Sequence, residues 1–77
     1  MKKWEATYAG SVITVENSGG GERLYVNGEL QDEQIGLATR SRLWGQLPTG
    51  EQVKVSLGGN FTVHCRIFVD HKLVLSE

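Results

Sequence analysis

Hydrophobic and polar residues alternate along most of this chain with a period of two. Such alternation is the signature of β-strands that bury one face. Turn-forming residues interrupt it and set the limits of the predicted strands, which are 4–8, 12–16, 23–26, a return strand from 30, 38–47, 51–57, 61–69 and 72–75. Gly36 disfavours a helix within 29–39. We interpret this segment as a strand end and a loop that can include one helical turn.

A hairpin pattern occurs twice, 43 residues apart, at 23–30 (RLYVNGEL) and 66–73 (RIFVDHKL). The Asn-Gly pair of the first copy is the strongest short hairpin signal, because a type I′ turn needs positive φ at both central residues. A two-residue loop places Tyr25 opposite Leu30 and Phe68 opposite Leu73. The offset predicts two halves related by approximate twofold symmetry. The alternative, chance likeness between two hairpins of common composition, stays open.

The chain has 77 residues, which predicts one domain spanning 1–77. Seven or eight short antiparallel strands separated by turns predict an all-β fold, a small β-sandwich or a partly open barrel. Both faces of each hairpin are apolar, and a two-layer domain covers only one of them. Either the loop around Gly36 or a second subunit covers the other, and exposed apolar patches favour a homodimer.

Composition limits the functional classes. Eight basic residues balance nine acidic ones, so no overall field favours nucleic acid. No apolar run approaches the roughly 18 residues that suggest a membrane span. Trp4 and Glu5 follow the N-terminal lysines where a signal peptide has an apolar segment, so we expect a cytoplasmic protein. One cysteine and two histidines are fewer than the four ligands of a structural zinc site, so we expect no metal and no cofactor.

Arg40, Arg42 and Trp44 are the strongest binding candidates. Alternate positions on a strand share one face and lie about 7 Å apart. Such a surface suits a base, a sugar or an aromatic side chain, with arginine pairing a phosphate or carboxylate. Alternatively, Trp44 packs at an interface while the arginines stay solvated. Tyr25 and Phe68 join the candidate interface. The exposed stripe formed by Arg40, Arg42 and Trp44 extends further only if the sheet order places Arg23, Lys54 and Arg66 beside it.

Catalysis is not expected from this sequence. His64 and Cys65 are neighbours on a predicted strand, so their side chains point to opposite faces and do not form a nucleophile–base pair. Cys65 shares the face of Val63 and Ile67, which predicts that it fills the core. The chain has no carboxylate pair at a useful strand spacing and no phosphate-binding loop ahead of a helix.

Trp4 begins the first strand, and the strand 12–16 and the glycines 19–21 lead to a basic and hydrophobic strand that ends in Asn27-Gly28. A leucine-glycine strand at 43–45, a hairpin strand at 51–57 and a closing aromatic strand at 59–73 follow. This order resembles the domains of the Fas apoptotic inhibitory molecule family. His71 replaces the glycine expected after Asp70, and Trp44 lies inside Leu43-Trp44-Gly45 rather than upstream. The resemblance implies a compact, non-catalytic antiparallel β-sandwich, and it transfers neither site residues nor an apoptotic role.

From the sequence we therefore expect a non-enzymatic β-sandwich module that acts through protein contacts, including its own dimer. The alternative is a small-ligand or carbohydrate-binding domain that uses the Arg40, Arg42 and Trp44 face.

Overall fold

The computed structural model of this protein describes residues 1–36, 40–59 and 62–77. In these ranges the chain forms eight strands, which are β1 (Lys2–Tyr8), β2 (Ser11–Ser18), β3 (Gly21–Val26), β4 (Glu29–Ile35), β5 (Arg40–Gln46), β6 (Gln52–Gly58), β7 (His64–Val69) and β8 (Lys72–Ser76). They form two antiparallel sheets with the orders β1-β2-β3-β4 and β5-β6-β7-β8. The predicted all-β fold is confirmed, as an open sandwich of two sheets. Within these ranges no helix long and apolar enough to cross a membrane occurs.

The core lies between the two sheets and is built from the inward positions of their strands. Period-two alternation places these side chains on one face of each sheet, as the sequence predicts. The first sheet contributes Trp4, Ile13, Val15, Leu24 and Val26, and the second contributes Leu43, Val53, Val55, Leu57, Cys65, Ile67 and Val69. Every one of these residues is buried, so the opposite face of each sheet is left for contacts outside the domain.

The two repeated hairpins have the same register and the same irregularity. Tyr25 pairs with Leu30 and Phe68 with Leu73, as predicted. The register shifts between Leu24 and Tyr25 in the first hairpin, and 43 residues later between Ile67 and Phe68 in the second. Each bulge inserts one extra residue into the returning strand, which turns that strand locally. The sequence likeness between the hairpins thus corresponds to a structural likeness between the two sheets.

The turn residues of both hairpins tie the chain to the strand before them. Asn27 donates its backbone N–H to the Val12 carbonyl at 2.8 Å, and its Oδ1 accepts the Val12 N–H at 2.9 Å. Asp70 makes the same two contacts with Gln52, each at 2.9 Å. Asn and Asp tolerate the left-handed backbone of these turns, and here their side chains also accept a hydrogen bond from a residue 15 or 18 positions earlier. The hairpin ends are therefore fixed relative to the sheets.

Side chains of β4 join the edges of the two sheets. Asp32 Oδ2 accepts the Trp44 N–H at 2.8 Å, and Gln31 Oε1 accepts the Gln46 N–H at 3.3 Å. These carboxylate and amide oxygens pair backbone donors of β5 that face away from β6. The corner between β4 and β5 is thereby held by side chains, and it fixes the edge from which the candidate residues of β5 project.

The predicted strand bounds differ from the structure by one to two residues at most places and by more at two of them. The strand end and helical turn expected within 29–39 are replaced by a regular strand, Glu29–Ile35, while residues 37–39 of that prediction lie outside the described residues. The strand expected at 61–69 begins at His64, and residues 60 and 61 are likewise outside the described ranges. The first difference arises because β4 is an edge strand with mostly exposed side chains, so hydrophobic alternation does not reveal it.

Candidate ligand-binding face

Trp44 and Phe68 lie on the outer face of the second sheet with Lys54 between them. Trp44 pairs with Lys54, Lys54 with Phe68, and Phe68 with Leu73, so these four residues form one row across the sheet, called here the aromatic row. The Lys54 Nζ atom lies 5.6 Å from the ring centroid of each aromatic side chain, within the range of cation–π attraction. Trp44 is 45% exposed and Leu73 is 54% exposed. The row thus presents ring surface and charge to solvent.

The next row along the strands is basic. Arg42 pairs with Ser56, Ser56 with Arg66, and Arg66 with Ser76, and these four residues are called here the arginine row. Both arginine side chains are exposed. Because residues two apart on a strand are separated by about 6.7 Å, the arginine row lies about that far from the aromatic row. Cationic and aromatic groups are therefore neighbours on one face.

A groove with a volume of about 590 Å³ opens beside the arginine row. Its walls include Arg42 and Arg66, and one step further along the strands Arg40 and His64 lie on either side of Gly58. Gly58 has no side chain, so the strand between these two residues contributes only backbone to the groove floor. Three arginines and one histidine are thus among the residues that line this depression, together with Gln34 of the first sheet.

The equivalent row of the first sheet has a different charge pattern. It pairs alternating basic and acidic residues, which are Lys3, Glu16, Arg23 and Glu33. Arg23 donates its Nε–H to Glu33 Oε2 in an ion pair. Arg66 occupies the position in the second sheet that Arg23 occupies in the first. Its cross-strand neighbours are Ser56 and Ser76, whereas those of Arg23 are Glu16 and Glu33. The glutamates that balance the basic residues of the first sheet are replaced by serines in the second.

The charge of the chain is divided between its two sheets. Residues 1–36 contain three basic and six acidic residues, whereas residues 40–77 contain five basic and three acidic ones. The outward positions of β5–β8, all within the described part of the chain, include no aspartate or glutamate. The near-zero net charge of the whole molecule therefore conceals a basic face.

The structure brings together most of the candidates named from the sequence. Arg40, Arg42 and Trp44 are exposed on one face, as the alternation predicts, and Phe68 joins them two strands away. Tyr25 lies in the first sheet and does not belong to this face.

Strand order decides which additional residues join the face. Lys54 and Arg66 lie alongside the stripe, whereas Arg23 does not. His64 also belongs to the face, although the sequence suggested no binding role for it. Its outward position on β7 is a signal that the alternation carries, but the groove beside it is visible only in the folded chain.

Cys65 is part of the core and is not a nucleophile paired with His64. It has no exposed surface, while His64 is exposed on the opposite face of β7, so the predicted core-filling role is confirmed. Burial, with a smaller contribution from Glu77, raises the pKa of the Cys65 thiol from 9.0 to about 12. The thiol stays protonated at neutral pH and lacks the thiolate character of a reactive cysteine. In the described ranges, no three histidine, cysteine or acidic side chains cluster to hold a metal.

A buried polar contact links the sheets at one end of the sandwich. Ser41 donates its hydroxyl to Glu22 Oε1, and both residues are buried. A cavity of only about 30 Å³ adjoins them, with Asn17 and Val63 in its walls. The Glu22 carboxylate is thus used between the sheets, and the space beside it is too small for a ligand larger than a water molecule.

Comparison of the chain with protein-family models, with curated proteins and with solved structures gives no match. The resemblance to the Fas apoptotic inhibitory molecule family therefore stays a prediction.

Proposed function

We propose that this protein is a non-enzymatic binding module and that the outer face of its second sheet binds a ligand carrying both an anionic group and a flat ring. The supporting observation is the exchange of glutamate for serine between the two sheets. With Ser56 and Ser76 beside them, Arg42 and Arg66 have no carboxylate partner among the described residues. Guanidinium groups bind carboxylates and phosphates through paired, charge-assisted hydrogen bonds. An anionic ligand supplies the charge that glutamates supply in the first sheet.

The aromatic row supports the second part of this proposal. Trp44 offers an exposed indole on the same face, about 6.7 Å from the arginine row. Aromatic side chains stack on bases and sugars and contribute about 1–3 kcal/mol per stacked base. Lys54 lies between Trp44 and Phe68, so the row also attracts negative charge. One small ligand is long enough to contact both rows.

Calorimetric titration with anionic sugars and nucleotides tests the proposal. The variant Ser56→Glu places a carboxylate between Arg42 and Arg66, and we expect it to weaken binding at least about ten-fold, which corresponds to about 1.4 kcal/mol. Thr7→Glu makes the same charge change on an exposed position of the first sheet and serves as the matched control. Circular dichroism checks that both variants fold. Equal affinity in the wild-type protein and in Ser56→Glu contradicts the proposal.

Self-association is the second candidate, favoured by the exposure of Trp44 and Leu73. Pairing two copies of this face brings the unpaired Arg42 and Arg66 of both copies together, and like charges oppose such contact. We therefore propose ligand binding ahead of self-association. The homodimer and the cytoplasmic location stay predictions. Sedimentation analysis at tens of micromolar tests the homodimer. A dimer in the wild-type protein that dissociates in Leu73→Lys would favour self-association through this face.

A further inference from the structure

We propose that the groove beside Gly58 is a phosphate subsite and that the ligand is a mononucleotide, with its phosphate in the groove and its base on the aromatic row. This inference rests on the proposed function, whose binding face it uses. It adds the chemical class of the ligand and the direction in which the ligand lies across the strands.

The groove has basic side chains on two opposite sides. β5 and β7 are separated by β6, so Arg42 and Arg66 start about 9.6 Å apart, twice the strand spacing. Arg40 and His64 start from the same two strands, about 6.7 Å further along. Arginine side chains are long enough to reach inward across such a rectangle. On β6, between these two strands, lie Gly58, which has no side chain, and Ser56, which has a short one.

The number of positive groups favours phosphate over carboxylate. Three arginines line one groove, and no acidic residue is present in its described lining. A phosphate monoester carries about −1.5 to −2 charge at pH 7 and offers three acceptor oxygens, whereas a carboxylate carries a single charge. Arginine binds phosphate through two parallel hydrogen bonds. A phosphate monoester therefore neutralises this groove better than a uronic acid or an acidic side chain does.

The dimensions of the face match a nucleotide. The groove has a volume of about 590 Å³, which accommodates a phosphate together with part of the sugar attached to it. The arginine row forms the wall of the groove on the side of the aromatic row, so a sugar that joins a phosphate in the groove to a base on Trp44 crosses that wall. The hydroxyl of Ser56 is placed under that sugar, and Trp44 is placed to stack on the base.

The basic region ends too early for a nucleic-acid strand. On the far side of the aromatic row, the next outward pair is Gln46 and Gln52, which are both uncharged. Single-strand binding uses a basic track that follows successive phosphates. Here the guanidinium groups are concentrated at one end of the face, which fits one phosphate group and one base.

Calorimetric titrations at one fixed ionic strength test this assignment with four probes: AMP, adenosine, glucuronate and an oligothymidylate. We expect AMP to bind at least ten-fold more tightly than adenosine or glucuronate. Amide chemical shifts of Ser56 and Gly58 and the indole shift of Trp44 should change together as AMP is added. Arg66→Gln should weaken AMP binding at least ten-fold and should weaken adenosine binding less, so that the preference for AMP over adenosine falls. Arg23→Gln, the equivalent change in the first sheet, should leave both unchanged.

The other outcomes separate this inference from the proposed function. Glucuronate binding as tightly as AMP overturns the phosphate subsite but supports an anion-binding face. Oligothymidylate binding more tightly than AMP overturns the mononucleotide and identifies a strand-binding surface. If no probe binds, both the inference and the proposed function are wrong. Equal loss of AMP binding in Arg66→Gln and Arg23→Gln assigns the effect to net charge and also overturns the subsite.

Discussion

The second repeated hairpin turns through a histidine where the first turns through a glycine. Asn27 and Gly28 have φ values of 51° and 82°, and Asp70 and His71 have φ values of 46° and 69°. Both turns thus use the left-handed region at both central residues, as a type I′ turn requires. Glycine adopts this region without steric cost, whereas a side chain at the second position meets its own backbone. We therefore predict that His71→Gly stabilises the protein.

The magnitude follows from two opposing effects. Left-handed backbone costs a non-glycine residue about 1–2 kcal/mol. Glycine also makes the unfolded chain more flexible, which lowers the free energy of unfolding by about 0.4–1 kcal/mol and offsets part of this gain. His71 is exposed, so its replacement removes little packing. The expected gain is about 0.5–1 kcal/mol in the free energy of unfolding, or about 2–8 °C in Tm for a domain of this size.

Urea and thermal denaturation measure this effect, and the chain contains its own matched control. A Cβ added at Gly28 meets nothing within 4 Å, so Gly28→His changes only the backbone preference. It should lower the free energy of unfolding by about the amount that His71→Gly raises it. If His71→Gly is neutral or destabilising while Gly28→His is tolerated, backbone strain at this turn does not limit stability and the reasoning is refuted.

Three further predictions concern the fold. Gly21→Ala should destabilise the protein by about 3 kcal/mol in urea denaturation, because the added Cβ would clash with the Gln34 carbonyl oxygen and because Gly21 has a φ of 143°. Gly19→Ala is the control: it has open space around it and should change stability by less than about 0.5 kcal/mol. Asp32→Ala should lower the free energy of unfolding by about 1 kcal/mol because the Trp44 N–H loses its acceptor. Glu33→Ala should lower it less because it removes only a surface ion pair. Equal losses of stability in the two variants would contradict the role of the β4–β5 corner. Because the pKa of Cys65 is raised from 9.0 to about 12, the unfolded chain loses the thiol proton first, so the free energy of unfolding should fall as pH rises from 9 to 12, by at most about 1.4 kcal/mol per unit from this group. Denaturation across this pH range should show a shallower fall in Cys65→Ala, and an unchanged slope would contradict the assignment.

Local pairing could be predicted from the sequence because it depends on neighbouring residues. The Asn27-Gly28 turn fixes the register of its hairpin, and alternation fixes which side chains of β5 and β7 point outward. The register of Phe68 with Leu73 followed from the same rule, although His71 weakens the turn signal. These predictions needed no knowledge of how distant strands meet.

The remaining features depend on contacts between distant parts of the chain. The strand β4 was shortened in the prediction because an exposed edge strand has no hydrophobic alternation. Neither bulge leaves a glycine or another local mark that distinguishes Gln31 or Val74 from its neighbours. Arg23 has an ion-pair partner, and Arg66 has none among the described residues. This difference becomes visible only when the register places a glutamate beside Arg23 and a serine beside Arg66.

The internal likeness of the two sheets separates what the fold requires from what it permits. Glu16 and Glu33 show that this strand geometry accepts acidic residues at the positions that Ser56 and Ser76 occupy. The backbone therefore does not require serine there, and a glutamate beside Arg66 would remove repulsion among the basic groups. A sequence that served only the fold would gain from such a residue. The unbalanced arginines, next to an exposed indole and an open groove, are thus better explained by a negative charge that comes from outside the chain.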